Sequence, residues 1–144
     1  MAITYENVIF DRVIDNVQTI LADEFSIPVL FDETTERGAQ SFLVMVLEDT
    51  LEELVVAGQT RTCSISINYE LKSNGNYTKN SMKQVTEVTE RLKRLLFNNR
   101  TYIVSGVSKF FNGTVTNIAY ERDEDEPSIL RSLTSFTCTT MELV

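Results

Sequence analysis

Between Thr60 and Leu71 the chain alternates strictly. Cys63, Ile65, Ile67, Tyr69 and Leu71 interleave with Thr62, Ser64, Ser66, Asn68 and Glu70. A period of two commits the segment to an extended strand: one face packs on a core and the other meets water or another subunit. The outward set holds hydroxyls, an amide and one carboxylate, so this face reads as a platform or wall. The strand must also turn back on something. A polar turn around Asn74-Gly75-Asn76 follows it, and then a helical pattern.

That helix is expected over Ser81 to Asn98. Ser81-Met82-Lys83-Gln84 fits a capping box, and Met82, Val85, Val88 or Thr89, Leu92, Leu95 and Leu96 recur at helical spacing. Glu87 with Arg91 and Glu90 with Arg94 stand four apart, acid first, the favourable order. Arg91, Lys93 and Arg94 complement the negative end of the helix. An earlier amphipathic helix is expected from Tyr5 to Asp23, with Phe10, Val13, Ile14, Val17, Ile20, Leu21 and Phe25 as its stripe. Pro28 stops it, and Val29-Leu30-Phe31 reads as a short strand.

The polar run Asp32 to Gln40 reads as a loop, followed by a strand over Ser41 to Glu48. Thr50 to Ala57 suits either a helical turn or an extension of that strand. Further on, Tyr102-Ile103-Val104 is a short strand interrupted by Ser105-Gly106, and Asn112-Gly113 is a turn signal before a strand over Thr114 to Tyr120. The charged connector Glu121 to Pro127 leads into a last strand, Leu130 to Glu142, and the two strands form a hairpin. The 144 residues fit one domain, 1–144, with no linker or internal repeat. Two helical stripes need a sheet to cover, and the sheet needs the helices. The expected class is α+β: a mainly antiparallel sheet flanked by two amphipathic helices.

Chemistry is sparse. The chain has no histidine, so the usual general base, metal ligand and triad partner is missing. Cys63 and Cys138 lie in predicted strands and read as small buried hydrophobes; whether their strands are neighbours stays open. Asp32, Glu33 and Glu36 share a loop, while Glu48, Asp49, Glu52 and Glu53 cluster past a strand end, but neither set has calcium-loop spacing. The glycines are scattered and form no phosphate-cradling loop. No catalytic residue, cofactor or metal is expected. The longest apolar run, Phe42 to Leu47, is far too short for a membrane span, and Met1 to Glu6 lacks the pattern of a signal peptide. A formal charge of −8 disfavours ordinary nucleic-acid binding without forbidding a passage through which DNA slides. The basic corner of Arg91, Lys93, Arg94 and Arg100 beside the acidic loops suggests ion pairing between subunits.

Taken as a whole, the layout resembles the tail terminator, or tail completion, proteins of long-tailed bacteriophages. The resemblance lies in the size, in the opening helix Tyr5 to Asp23, and above all in Cys63 to Glu70, a loop, and the helix Ser81 to Asn98. It implies a tail-terminator-like domain without enzymatic activity, forming a ring, typically a hexamer, on the last ring of the tail tube. The ring would end tube growth and present a surface to head-side neck or connector proteins, with DNA only as passing cargo. It implies a virion location after assembly in the host cytoplasm, and no membrane. Ring contacts are expected at the loop with Asp32, Glu33, Glu36 and Arg37, and at the turn with Lys72, Asn74, Tyr77 and Lys79. Arg91 and Arg94 on the helix, and Asp123, Glu124, Asp125 and Glu126 in the connector, complete the set. Two other readings stand beside it: a tail tube or head–tail connector subunit, and a small acidic binding or inhibitor module.

Overall fold

The computed structural model describes residues 2–30, 39–72 and 79–144. A π-helical segment, Ile9–Ile14, runs directly into α1 (Asp15–Glu24). Then come β1 (Val29–Leu30), β2 (Gln40–Val55), β3 (Gly58–Lys72), α2 (Lys79–Asn98), β4 (Tyr102–Val104), β5 (Val107–Arg122) and β6 (Ile129–Leu143). The strands make one six-stranded sheet in the order β1-β2-β3-β6-β5-β4.

The expected mainly antiparallel sheet flanked by two helices is corrected. The protein is mostly β, with 52% strand, and its sheet is mixed and curled into a half-barrel. β1 enters parallel to β2, pairing Val29 with Phe42 and Leu30 with Leu43, because the chain leaves α1 through Pro28 in the direction β2 will take. Only the broad separation of helices from strands fits the expectation. Two helices do pack against the sheet. Val13, Val17 and Leu21 from the first helix join Val85, Leu92 and Leu96 from α2 in a single core with Ile65, Ile67 and Tyr69. Both helices therefore cover the same face.

The alternation in β3 holds: Cys63, Ile65, Ile67, Tyr69 and Leu71 are all buried. Its full-length antiparallel partner is β6, in a register that sets Cys63 opposite Cys138 and Ile65 opposite Phe136. The two cysteine strands are thus direct neighbours. Aromatic contacts stitch the core along the sheet: Phe25 meets Phe42 edge-on at 5.0 Å, Phe42 lies 5.5 Å from Tyr69, and Phe110 meets Phe136 edge-on at 5.9 Å. Such pairs add about 0.5–1.5 kcal/mol each beyond burial.

Three local expectations change and one open choice is decided. Phe10, placed in the helical stripe, is 43% exposed, while Ile9 packs on the core. The amide of Asp15 bonds to the carbonyl of Phe10, a five-residue step, so the turn below Ile14 begins at Ile9. α2 starts at Lys79, which leaves Ser81 inside the first turn instead of at the cap. The ambiguous Thr50 to Ala57 stretch is strand as far as Val55 and turns at Val56-Ala57, because β3 offers it a ladder as far as Gly58. Asn112-Gly113 is no turn but an irregularity within β5, where the register shifts between Phe111 and Thr114 and Asn112 takes a φ of 54°. The tight turn falls at Ser105-Gly106, both at positive φ, as a two-residue hairpin requires.

Candidate assembly surfaces

The face of the sheet turned away from the helices carries no covering layer among the described residues. It is built from the outward positions of β3 and β6, which the register sets side by side: Thr62 with Thr139, Ser64 with Thr137, Ser66 with Ser135. Glu52 bends over this hydroxyl ladder and accepts from Thr62 Oγ1 at 3.1 Å and Thr139 Oγ1 at 3.3 Å. Where the ladder ends, Arg131 gathers carboxylates: Asp123 at 2.8 Å, Glu121 at 3.0 Å and Glu70 at 3.7 Å. Beside it a depression of about 420 Å³ opens between Leu43, Met45 and Leu133.

Among the described residues the sheet also has two long edges without a further strand. β1 pairs with β2 only at Phe42 and Leu43 among these residues, so there Val44 to Val55 has β3 on one side and no described strand on the other. Along this stretch Leu47, Leu51 and Leu54 are exposed, with Leu54 at 74%, and Val56 stands fully in solvent at the turn. Glu48, Asp49, Glu52 and Glu53 alternate with them, and register shifts fall after Val46 and Leu51. Charges and bulges are the devices that keep an edge strand from pairing indiscriminately. On the far side, β4 reaches β5 only as far as Phe110, so among the described residues no strand pairs with Phe111 to Arg122 on that side.

Above that second edge sits the end of α2. Phe97 is 52% exposed, with the Arg100 guanidinium 4.6 Å and the Arg94 guanidinium 5.5 Å from its ring centroid. The carbonyl of Arg100 holds the amide of Gly113 at 2.9 Å, which fixes this corner against β5. Two depressions border it: one of about 300 Å³ between Phe97, Lys93, Arg100 and Val115, the other of about 450 Å³ towards Thr101 and Asn112. Among the described residues, Arg94 and Arg100 have no carboxylate partner.

Of the residues expected to make contacts, Asp32, Glu33, Glu36, Arg37, Asn74 and Tyr77 lie outside the described residues. Lys72 ends β3 and Lys79 opens α2, both exposed. Arg91 is engaged within the chain: its Nε lies 2.9 Å from Glu24, and its guanidinium stacks 4.6 Å over Phe25. The helical pairs expected from spacing are rearranged accordingly, Glu87 facing Lys83 at 3.9 Å and Glu90 facing Lys93 at 2.8 Å. Asp123 organises the connector, accepting from the amides of Glu126 at 2.8 Å and Asp125 at 2.9 Å. Those amides and Arg131 hold its carboxyl below the usual aspartate value. Glu124, Asp125 and Glu126 stand exposed on the loop it shapes. The structure thus brings Lys72 and the connector to one end of β3 and β6, and it places Arg94 about 22 Å along α2 from Lys79.

Neither cysteine reaches these surfaces. Cys63 and Cys138 are buried, and burial pushes both thiols up, away from the reactive thiolate. Among the described residues no three His, Cys, Asp or Glu side chains are placed so that they could hold a metal ion, and no helix is long and apolar enough to cross a membrane. No family model matches the chain, and no curated protein matches it either.

Sequence reasoning had missed two features. Phe97 could have been found as an apolar residue off the buried stripe of its helix, next to Arg94 and Arg100. The open β2 edge was signalled by the β-branched pair Val55-Val56, which favours extension over a helical turn.

Proposed function

We propose that the chain is a non-catalytic building block that joins copies of itself side by side. In the form its resemblance implies, the copies close a ring on the end of a phage tail tube. There the ring ends tube growth and offers its other side to head-side neck proteins, within the virion. The observation that carries the reading is a pair of sheet edges, on opposite sides of one domain, that have no neighbouring strand among the described residues, one of them studded with exposed leucines. An edge of this length needs either a partner or protection, and the protection here is partial. Two different edges meeting generate a head-to-tail contact, which closes into a ring when the rotation allows. A charge of −8 repeated around a channel would keep passing DNA from adhering.

The same head-to-tail logic supports a second reading, a tail tube or connector subunit, because a rotation that fails to close gives an open helix. Electron microscopy of the purified protein, alone and with tube protein, separates the two. A terminator gives single rings and caps on tube ends; a tube subunit gives cylinders. Light scattering that finds only monomers at every concentration, together with micrographs showing bare tube ends, would remove both.

A further inference from the structure

Resting on the reading of a self-assembling subunit, we infer that the acidic β2–β3 hairpin of one copy docks on the Phe97 corner of the next. Three observations converge. The first is position. In the strand order β2-β3-β6-β5, the hairpin and the corner lie on opposite sides of the sheet, about 14 Å apart across three strand spacings. They cannot satisfy each other within one chain, so a contact between them joins two copies through unlike surfaces.

The second is charge. From Val46 to Ala57 the hairpin holds Glu48, Asp49, Glu52 and Glu53 and no lysine or arginine. Asp49 is paired with Arg61 at 2.7 Å, and Glu48 accepts from the hydroxyl of Thr50 and, among the described residues, faces no cation. Glu53 has no cationic partner among the described residues. The corner offers the complement: Arg94 and Arg100, stacked on Phe97 and uncompensated, in a chain that is acidic everywhere else on balance.

The third is the mixture of apolar and charged groups on both sides. Leu51 and Leu54 are exposed next to the hairpin carboxylates. The depression of about 300 Å³ at the corner is walled by Phe97 and Val115 as well as by Lys93 and Arg100. A leucine seated there excludes water around the ion pairs, the arrangement in which interfacial charges contribute most. The connector tip, Glu124 to Glu126, is the competing acidic segment. It brings carboxylates but no apolar side chain to fill the depression, so the hairpin is the better match.

The test uses two full-length variants. One carries Arg94→Glu with Arg100→Glu; the other carries Glu48→Lys with Glu53→Lys. All four side chains are exposed, so each variant should keep the far-ultraviolet spectrum and melting temperature of the parent. Each alone should weaken self-association at least about tenfold, since like charges then face each other. Mixing the two variants should restore assembly, because each kind of contact in an alternating ring is again opposite in charge. A parent that assembles while neither variant is impaired overturns the docking and leaves the building-block reading in place. Loss of assembly only in Glu124→Lys with Asp125→Lys and Glu126→Lys also overturns it, and names the connector as the occupant. A parent that never associates, with or without tube protein, overturns both.

Discussion

At Phe42 and Leu43, β2 lies between β1 and β3 beneath the helices, and Phe42 and Val44 are in the core; from Met45 to Val55 the same strand has, among the described residues, one neighbouring strand and no helix packed over it. The backbone pairing with β3 hardly changes between the two regions. What changes is the layer above. On the helix-side face, Cys63 and Cys138 are the last buried apolar pair. Beyond them the apolar core gives way to polar ties: Arg61 to Asp49 at 2.7 Å, Gln59 to Glu142 at 3.3 Å, and Arg12 to Glu6 at 2.8 Å. Arg12 also donates to the carbonyl of Met141 at 2.6 Å, anchoring the first helix to the end of β6. Hydrogen bonding therefore maintains the hairpin as a strand pair while burial, the larger contribution, stops halfway along it. A strand pair kept in shape but left uncovered is a surface available for another chain.

The sharpest way to break that contrast is to delete a side chain from each region. Phe136 is fully buried on β6, edge-on to Phe110. Phe136→Ala should cost about 3–5 kcal/mol in urea unfolding. Leu54→Ser in the hairpin should fall within about 0.5 kcal/mol of the parent. If the two losses came out equal, the hairpin would have to be packed in the isolated chain, and the division drawn here would fail.

A backbone contact at the hairpin's root gives the next largest effect. Gly58 opens β3 against the end of β6, and a Cβ added there would lie 2.0 Å from the carbonyl oxygen of Glu142. Backbone cannot swing aside as a flexible side chain does, so Gly58→Ala must push β3 and β6 apart. The expected loss is about 1–3 kcal/mol, read as a lower melting temperature. Hydrogen exchange should quicken at Val144, whose amide bonds to Ala57, before it changes in the core. Unchanged exchange there would mean that the strand ends already give.

Hydroxyls on the two faces of the sheet sharpen the comparison further. Thr89 Oγ1 lies 2.7 Å from both the Val85 carbonyl and Ser132 Oγ, all inside the helix–sheet seam. A threonine hydroxyl has one proton, so one of these bonds is donated by the serine if the carbonyl takes the other. Thr89→Val strands Ser132 in a dry site and should cost about 1–3 kcal/mol. Thr62→Val on the bare face removes a bond to Glu52 that water can replace, and its effect on unfolding should be close to zero. A large loss at Thr62 would show the bare face to be structurally committed.

How far all this could be read beforehand follows the same division. Covered elements announced themselves, because burial imposes a period: the alternation in β3 and the Val85, Leu92, Leu96 stripe of α2 are direct records of what lies above them. Uncovered ones did not. Thr50 to Ala57 carries leucines and glutamates in no fixed period, since no layer selects a face, and its strand state comes from pairing with β3. Asn112-Gly113 misled for a related reason. The dipeptide encodes a positive φ, which a bulge uses as well as a turn, and only the register with β6 distinguishes them. For the surfaces, spacing suggested that Arg91 and Arg94 were equivalent. Tertiary packing separated them, tying Arg91 to Glu24 and leaving Arg94 over Phe97. The parallel entry of β1 left no local trace at all, because the orientation of two strands is decided by the path between them.

The smallest effect should come from acid, and it should strike the connector before the core. Asp123 is held below the ordinary aspartate value first by the Glu126 amide, then by Arg131, with the Asp125 amide adding to them. A carboxyl whose folded value is depressed contributes stability that is fully present above its unfolded value and is lost as pH falls through the folded one. Between those two values the connector should therefore loosen step by step, while Thr89, Ser132 and the aromatic core stay in place. Asp123 lies at the surface and keeps part of its side chain in solvent, so the change in global stability should be slight, and the clear readout is local: the amides of Asp125 and Glu126 should lose protection and shift together on titration by nuclear magnetic resonance. Asp123→Asn should abolish that shift, because the amide oxygen can still accept from the backbone but carries no charge to lose. If the titration instead ran through the whole sheet at once, the connector would be part of the same cooperative unit as the covered face. The line between supported and unsupported parts of the molecule would then have to be redrawn around Arg131, whose ties to Glu70, Glu121 and Asp123 span β3, β5 and β6.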